Sequence, residues 1–379
     1  MMSDKNWKAD SHSAIVNLCL IEDTQVQAAL RKWEDGTSIA LINAGHVRYI
    51  PFLYRRILDL NLQSRNREIL MIFKGVYLKT SWQQMVFQKK NIEFLASKKS
   101  EMPEFAFLKG VALQNSVYAN DPRTRPCDDV DIFVDRTDLD KAIKFLCEQG
   151  FQLEGPYSME YVLNFRKSAS FTRGDVSIDL NWGLYDYARG NKYTPDLQFQ
   201  RVYIDGEIFL ILSDTFNLIH SILHGAGWNS TPSTRWILDA ALLIRTGSID
   251  WNVFERVVIE NGWQYPLILQ LDYLEEFDVF VPIGTKNTIR FSKRDWLGIA
   301  MYLYLSRSSL LARRFTRLLY GDYLAYITNQ RLNHSVWTFI RFEFFVLRSL
   351  TREYLASLKR RLNPSGVQTT SISYKTQKF

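Results

Sequence analysis

The sequence predicts an α+β protein in which a small mixed β-sheet, with helices packed on it, lies between two helical regions. Apolar residues recur at helical spacing near both ends of the chain, whereas the middle contains short apolar and alternating runs that are typical of strands. The 379 residues are 46% hydrophobic and 14% aromatic, which suffices for two or three cores. We therefore expect an N-terminal helical region (1–102), a central core (103–212) and a C-terminal helical region (213–379).

The N-terminal region is expected to consist of helices packed onto the central core. Four apolar residues with i, i+3, i+4, i+7 spacing mark one helix face: Val26, Ala29, Leu30 and Trp33. A longer helix is predicted over residues 67–97. Pro103 then ends the helical pattern, since proline interrupts helical hydrogen bonding.

Two acidic residues stand on one strand of the predicted core. A buried strand at residues 105–108 is followed by a Lys109-Gly110 turn, a short helix, an arginine-containing loop and a second strand. Side chains alternate along a strand, so Asp129 and Asp131 of this second strand point to the same face. The alternate apolar residues would point into a core: Val130, Ile132 and Val134.

This carboxylate pair predicts a divalent metal site. Carboxylates about 7 Å or less apart at their bases repel each other by an energy of order kcal/mol at an effective dielectric of about 20. A hard cation between them removes that cost, and Mg²⁺ is the usual cation for oxygen ligands. The alternative for Asp129 and Asp131 is the solvated outer face of an edge strand.

A third carboxylate is predicted on a neighbouring strand. After Asp131 we expect a helix that ends at Gly150, a strand over residues 161–166 and a hairpin turn around Gly174. Asp179 then lies on an alternating strand whose apolar side chains face the other way. The alternative for Asp179 is the solvated side of an antiparallel sheet.

Composition excludes several classes of protein. The cysteines Cys19, Cys127 and Cys147 show no Cys-x-x-Cys or Cys/His metal spacing, so we expect reduced thiols in a cytoplasmic protein. No apolar run reaches the ~20 residues of a membrane span, and the N-terminus lacks a signal-peptide pattern. His220 and His224 lie one helical turn apart, a spacing that can bind zinc, but no third ligand accompanies them.

Positive charge is concentrated near the C-terminus. Of a net charge of +7, residues 291–379 contribute +11, from 15 Lys or Arg against 4 Asp or Glu, which leaves −4 for the first 290 residues. Because Lys and Arg residues are interspersed with aromatic residues there, this segment is a candidate surface for RNA. It is also a candidate for an anionic membrane or a lipid-linked acceptor. The alternative is solvated arginines on packed helices.

Three segments together carry a family resemblance. They are Phe107-Leu-Lys-Gly-Val-Ala-Leu113, Arg125-Pro-Cys-Asp-Asp-Val-Asp-Ile-Phe-Val134 and Ile178-Asp-Leu-Asn-Trp182. Over roughly residues 25–250 the chain resembles the bacterial uncharacterised nucleotidyltransferase family, within the polymerase-beta-like nucleotidyltransferase superfamily. Gly45-His46 and the stretch Arg235-Trp-Ile-Leu-Asp239 also look like this family.

The resemblance implies a polymerase-beta-like core that moves a nucleoside monophosphate from a nucleoside triphosphate such as ATP to a hydroxyl, with release of pyrophosphate. The acceptor would be a small molecule, glycan, peptide or protein. Two Mg²⁺ ions, or Mn²⁺, would be held by three catalytic residues: Asp129, Asp131 and Asp179. Lys109, Gly110 and Arg125 would contact the nucleotide.

Two other functions stay open at this point. One is a toxin-like transferase that adds nucleotides to tRNA, and the other is a degenerate, non-catalytic protein that binds nucleotides as a scaffold. The chain also departs from the superfamily pattern: Lys109-Gly110 stands where Gly-Ser is usual, and Asn181 stands where this family often has histidine. These departures concern contacts to the triphosphate and the acceptor more than metal binding.

Overall fold

The computed structural model of the chain describes residues 12–36, 44–127, 129–155, 159, 162–163, 166–184, 197–225, 235–261 and 263–289. A seven-stranded mixed sheet with many helices confirms the predicted α+β class. The basic segment after residue 290, a candidate surface for RNA or an anionic membrane, lies outside the described residues, as does Asp128. No helix in the described ranges is long and apolar enough to cross a membrane.

Helices precede the sheet, as predicted. They are α1 (His12–Leu20), α2 (Asp23–Gly36), α3 (Ala44–Val47), α4 (Ile50–Asp59), α5 (Arg67–Gln83), a π-helical segment (Gln84–Gln88) and α6 (Lys89–Ser97). Asn66 caps α5, because its side-chain oxygen accepts hydrogen bonds from the backbone N–H groups of Glu68 and Ile69, both at 3.1 Å. The helix predicted over residues 67–97 is therefore present, with one wider turn in its middle.

The sheet is built from seven strands: β1 (Phe105–Phe107), β2 (Val130–Val134), β3 (Gln152–Leu153), β4 (Ser168–Arg173), β5 (Val176–Asn181), β6 (Phe199–Ile204) and β7 (Glu207–Leu212). Their order is β3–β4–β5–β2–β1–β7–β6. Strand β2 runs antiparallel to β1 and parallel to β5. Every residue of β2 is buried, which fits its central position between two neighbours.

The predicted alternation places the aspartates on one face of the sheet. Val130, Ile132 and Val134 are fully buried in a core shared with α7 (Lys109–Gln114) and α8 (Leu139–Glu148). The opposite face of β2 contributes Phe133 to a second core of helices. The acidic side chains therefore lie on the face that the helical core covers.

The strand prediction for residues 161–166 is wrong at the positions of this range that the structure describes, 162, 163 and 166. Val162 and Leu163 are helical, and Val162 is buried against the sheet. The strand that follows α8 is the short β3, which pairs antiparallel with β4 directly after the turn at Gly150. A short apolar run does not distinguish a strand from a buried helical turn, so periodicity alone assigned it incorrectly.

Helices follow the sheet as well: α9 (Asp214–Gly225), α10 (Arg235–Thr246), α11 (Trp251–Glu260), α12 (Gln264–Glu275) and α13 (Ile283–Thr288). Helix α1 packs on α10, and α9 packs on α10, α11 and α12. The helices before and after the sheet thus share one core, which includes Ile15, Phe216 and Phe254. Segments distant in sequence therefore meet on the acidic face of the sheet.

Candidate metal centre

Three aspartates converge at the centre of the sheet. Asp131 of β2 lies directly opposite Asp179 of β5 in the parallel register, and Asp129 immediately precedes β2. One carboxylate oxygen from each residue lies within 4.8 Å of the others. Strand register brings Asp131 and Asp179 together, as alternation along the two strands predicts.

Burial makes this cluster electrostatically costly. Asp131 is 2% exposed, Asp179 is half-buried and Asp129 is exposed. Burial raises the pKa of Asp179, and the negative charge of Asp131 raises it further, against a hydrogen bond from Ser170. Three converging carboxylates favour a bound cation, and an all-oxygen donor set fits Mg²⁺ or Mn²⁺.

Lys109 lies beside these carboxylates. Its ammonium group donates to Asp131 Oδ1, and the negative charges of Asp129 and Asp179 also act on it. Burial opposes the charged form of Lys109, but the charge and hydrogen bond of Asp131, together with the charges of Asp129 and Asp179, raise its pKa. With φ at +46°, Lys109 adopts a left-handed conformation that is uncommon for a side-chain-bearing residue. The turn therefore places the positively charged ammonium group of Lys109 beside the three aspartates.

Asn181 connects the side chain of Asp131 with the backbone of Asp179. Its side-chain nitrogen donates to Asp131 Oδ1 at 3.2 Å and to the backbone oxygen of Asp179 at 2.9 Å. Asn181 is 2% exposed and lies in β5. The sequence placed it on the same face as Asp179, which is the signal that identifies it as part of this centre.

Gly110 is needed for close packing in the first turn of α7. A Cβ atom on Gly110 would lie 2.2 Å from Cys127 Sγ and 3.0 Å from Cys127 Cβ. Burial, followed by the charge of Asp129, raises the pKa of the Cys127 thiol to about 12, which does not suit a nucleophile. The resemblance implies that Gly110 contacts the nucleotide, and the structure in addition shows a close approach of Cys127, in the loop that leads to Asp129.

Arg125 is buried rather than directed into open solvent. Its Nε and a terminal guanidinium nitrogen donate to the two carboxylate oxygens of Asp239 in α10, both at 2.8 Å. Its other terminal nitrogen donates to the backbone oxygen of Pro126 at 2.8 Å. All three nitrogens thus have protein partners, in a place where the sequence predicted a contact with the nucleotide.

Side chains from several helices hold the backbone around Arg125. Gln84 of the π-helical segment and Gln114 of α7 each donate to the backbone oxygen of Arg125 at 2.7 Å. Arg235 of α10 donates to the backbone oxygen of Pro126. Sequence reasoning missed both glutamines, because their partners are distant along the chain and no local pattern marks them.

His220 and His224 do not form a metal site with other residues in the described ranges. Their rings lie 6.3 Å apart on α9. Burial and the positive charges of Lys109 and Lys167 lower the pKa of both, that of His224 to about 3. Within the same ranges, the three aspartates form the one cluster of His, Cys, Asp or Glu whose geometry suits a metal ion. The proximity of the histidines to Lys109 shows that α9 covers the acidic face.

One comparison with known proteins is informative. A family model described as "Uncharacterised nucleotidyltransferase" matches residues 39–277. No curated protein and no solved structure matches the chain. The matched range includes the whole acidic cluster, the loop before it and helix α10.

Proposed function

The chain belongs to the uncharacterised nucleotidyltransferase family, and from this membership we propose that it transfers a nucleoside monophosphate from a nucleoside triphosphate to a hydroxyl-bearing acceptor, releasing pyrophosphate. The observation that carries the proposal is the convergence of Asp129, Asp131 and Asp179 within 4.8 Å. Phosphoryl transfer depends mainly on positioning and charge neutralisation, and such a cluster supplies both when it holds divalent cations. The acceptor would be a small molecule, glycan, peptide or protein.

In the proposed site the three aspartates hold Mg²⁺, or Mn²⁺ in its place. Divalent ions bound there would lower the pKa of the attacking hydroxyl and neutralise charge on the departing pyrophosphate. The all-carboxylate donor set supports this assignment. Asn181, which bonds to Asp131, would keep the buried carboxylate in a fixed orientation.

The chain's own residues suit the proton transfer that the reaction requires. The acceptor oxygen forms a bond to the α-phosphorus, and the bond from that phosphorus to the bridging oxygen breaks, so that pyrophosphate leaves with the electron pair. A carboxylate oxygen of Asp179 would take the hydroxyl proton. Asp179 suits this role because its carboxylate is only half-buried and lies beside Asp131 in the cluster.

Lys109 is the proposed partner of the triphosphate. Its ammonium already neutralises the carboxylates, and once cations take over that role, Lys109 is positioned to pair with phosphate oxygens. The nucleotide contacts implied for Gly110 and Arg125 stay a prediction, and the contacts that both residues make in the structure support a further role. Both would shape the loop before Asp129 through their contacts with Cys127 and Asp239.

The proposal is tested by incubating the full chain with each labelled nucleoside triphosphate, Mg²⁺ or Mn²⁺, and a cell extract. We expect label to appear in one class of acceptor, together with pyrophosphate. Asp129→Asn combined with Asp131→Asn should abolish labelling. Asp175→Asn is the matched control, because this exposed turn aspartate pairs with Lys90 outside the cluster. Labelling that persists in the double variant would refute the proposal.

A tRNA acceptor is the second candidate, because residues 291–379 carry a charge of +11. Binding to RNA through many phosphates weakens steeply as salt increases. Labelling of tRNA by the full chain, with binding that falls steeply between low and high salt, would favour this acceptor. Salt-insensitive labelling of a small molecule would exclude it.

A further inference from the structure

A buried carboxylate on α10 connects two segments that precede the metal centre. Asp239 is 3% exposed and accepts two hydrogen bonds from the guanidinium of Arg125. It also accepts one from the hydroxyl of Tyr118 at 2.8 Å. Arg125 and Asp239 are 114 residues apart in sequence, so the bidentate pair fixes α10 against the loop that leads into β2.

This network bears more directly on Asp129 than on the other two aspartates. Asp131 and Asp179 belong to paired strands, whose backbone ladder sets their positions. Asp129 lies before the first residue of β2, so its position depends on the loop that begins at Arg125. The Cys127 thiol extends the restraint by donating to the backbone oxygen of Asp129 at 2.7 Å.

The energetics argue against stability as the main reason for a buried ion pair here. Removing two charges from water costs about as much as their attraction returns, and apolar residues of similar volume often serve the fold equally well. What an apolar pair does not supply is the direction of a bidentate hydrogen bond. The pair is therefore better explained by the geometry that it imposes on the loop.

We propose that Asp239 is a positioning residue: through Arg125 it sets the place of Asp129 relative to Asp131 and Asp179 and thereby controls divalent-ion affinity. This inference rests on the metal-binding role proposed above for the three aspartates. It gives the stretch from Arg235 to Asp239 a role in positioning the loop. Arg235 donates to the backbone oxygen of Pro126, and Asp239 accepts from Arg125.

The test is a titration of the full chain with Mn²⁺, with free Mn²⁺ followed by electron paramagnetic resonance, a measurement that does not require catalysis. Asp239→Asn should weaken Mn²⁺ binding about 10-fold, as is typical when a partner of a metal ligand is changed. Glu34→Gln is the matched control. Glu34 is a buried carboxylate that accepts from Ser64 and from the backbone of Arg65 in the N-terminal helices, and its loss should leave Mn²⁺ affinity unchanged.

A second variant separates positioning from stability. Arg125→Met combined with Asp239→Leu removes both buried charges and should fold cooperatively. If the pair positions Asp129, this variant will bind Mn²⁺ about 10-fold more weakly despite normal thermal stability. The inference would be overturned if the folded Arg125→Met/Asp239→Leu variant, or folded Asp239→Asn, bound Mn²⁺ with the wild-type affinity. Tyr118→Phe, which removes one hydrogen bond to Asp239, should weaken Mn²⁺ binding in the same direction but less.

The same titration separates this inference from the proposed function. Asp129→Asn combined with Asp131→Asn should lose Mn²⁺ binding altogether. If that variant binds Mn²⁺ as the wild type does, the metal role of the aspartates fails. If it loses binding while the Asp239 variants keep theirs, only the positioning role of Asp239 fails.

Discussion

The three aspartates are held in two different ways. Backbone hydrogen bonds between β2 and β5 place Asp131 opposite Asp179, so the sheet alone fixes these two. Asp129 lies outside the ladder, and side chains from helices that precede and follow the sheet along the chain hold the loop before it. The sheet therefore places two of the three aspartates of the proposed centre, while the packing of helices onto the loop places the third.

The largest effect should come from Asp131, the more deeply buried of the two aspartates that the sheet fixes. Asp131→Asn removes the buried carboxylate that bonds to both Lys109 and Asn181, so metal-dependent transfer should fall by more than about 100-fold. The rate of pyrophosphate release at saturating Mg²⁺ measures this. Asp175→Asn should retain the wild-type rate. A transfer rate in Asp131→Asn close to that of the wild type would show that the ladder does not position the essential ligand.

A smaller effect is expected where the loop meets α7. Gly110→Ala places a methyl group 2.2 Å from Cys127 Sγ, which should lower the free energy of unfolding by about 1–3 kcal/mol. Adding Cys127→Ala removes the sulfur and should restore part of that loss, although the Cβ contact at 3.0 Å remains. Urea denaturation measures both variants.

Gly75 of α5 provides the control for this substitution. A Cβ atom there meets nothing within 4 Å, so Gly75→Ala should stabilise the chain by about 0.5–1 kcal/mol through helix propensity. Equal stability of Gly110→Ala and the wild type would mean that the loop is not packed against α7 as described.

Replacing Lys109 should separate its two proposed effects, competition with the metal ion and pairing with the triphosphate. Lys109→Met eliminates an ammonium group that competes with divalent cations, so Mn²⁺ binding should tighten by about threefold to tenfold. The KM for the nucleoside triphosphate should rise, because a phosphate partner is lost. Weaker Mn²⁺ binding in this variant would show that Lys109 supports the metal site rather than competing with the ion.

The smallest effect concerns pH. Because the pKa of Asp179 is raised, the folded state binds a proton there more tightly than the unfolded chain does. Metal-free protein should therefore gain stability from this group as pH falls through the raised pKa, and should lose it as pH rises. Asp179→Asn should raise the metal-free Tm at pH 7 by about 1–3 °C.

The stabilisation that divalent ions provide should depend on pH in the opposite direction, growing as pH rises. Mn²⁺ competes with the proton for Asp179, so the Tm increase caused by Mn²⁺ should be largest above the raised pKa of Asp179 and should shrink as pH falls through that pKa. Thermal unfolding with and without Mn²⁺ measures this. A Tm increase that does not change with pH would exclude Asp179 from the metal site.

The sequence by itself indicated that Asp129 and Asp131 lie on one face of their strand and that Asp179 faces away from the apolar side chains of its own strand, because alternation along a strand is a local property. It misassigned residues 161–166, where a short apolar run fits a helix and a strand equally well. Only the tertiary structure decided that β2 pairs with β5, that Gly110 packs on Cys127 and that Arg125 bonds to Asp239. These contacts join residues distant in sequence, and local periodicity carries no information about which distant segment will fill a given space.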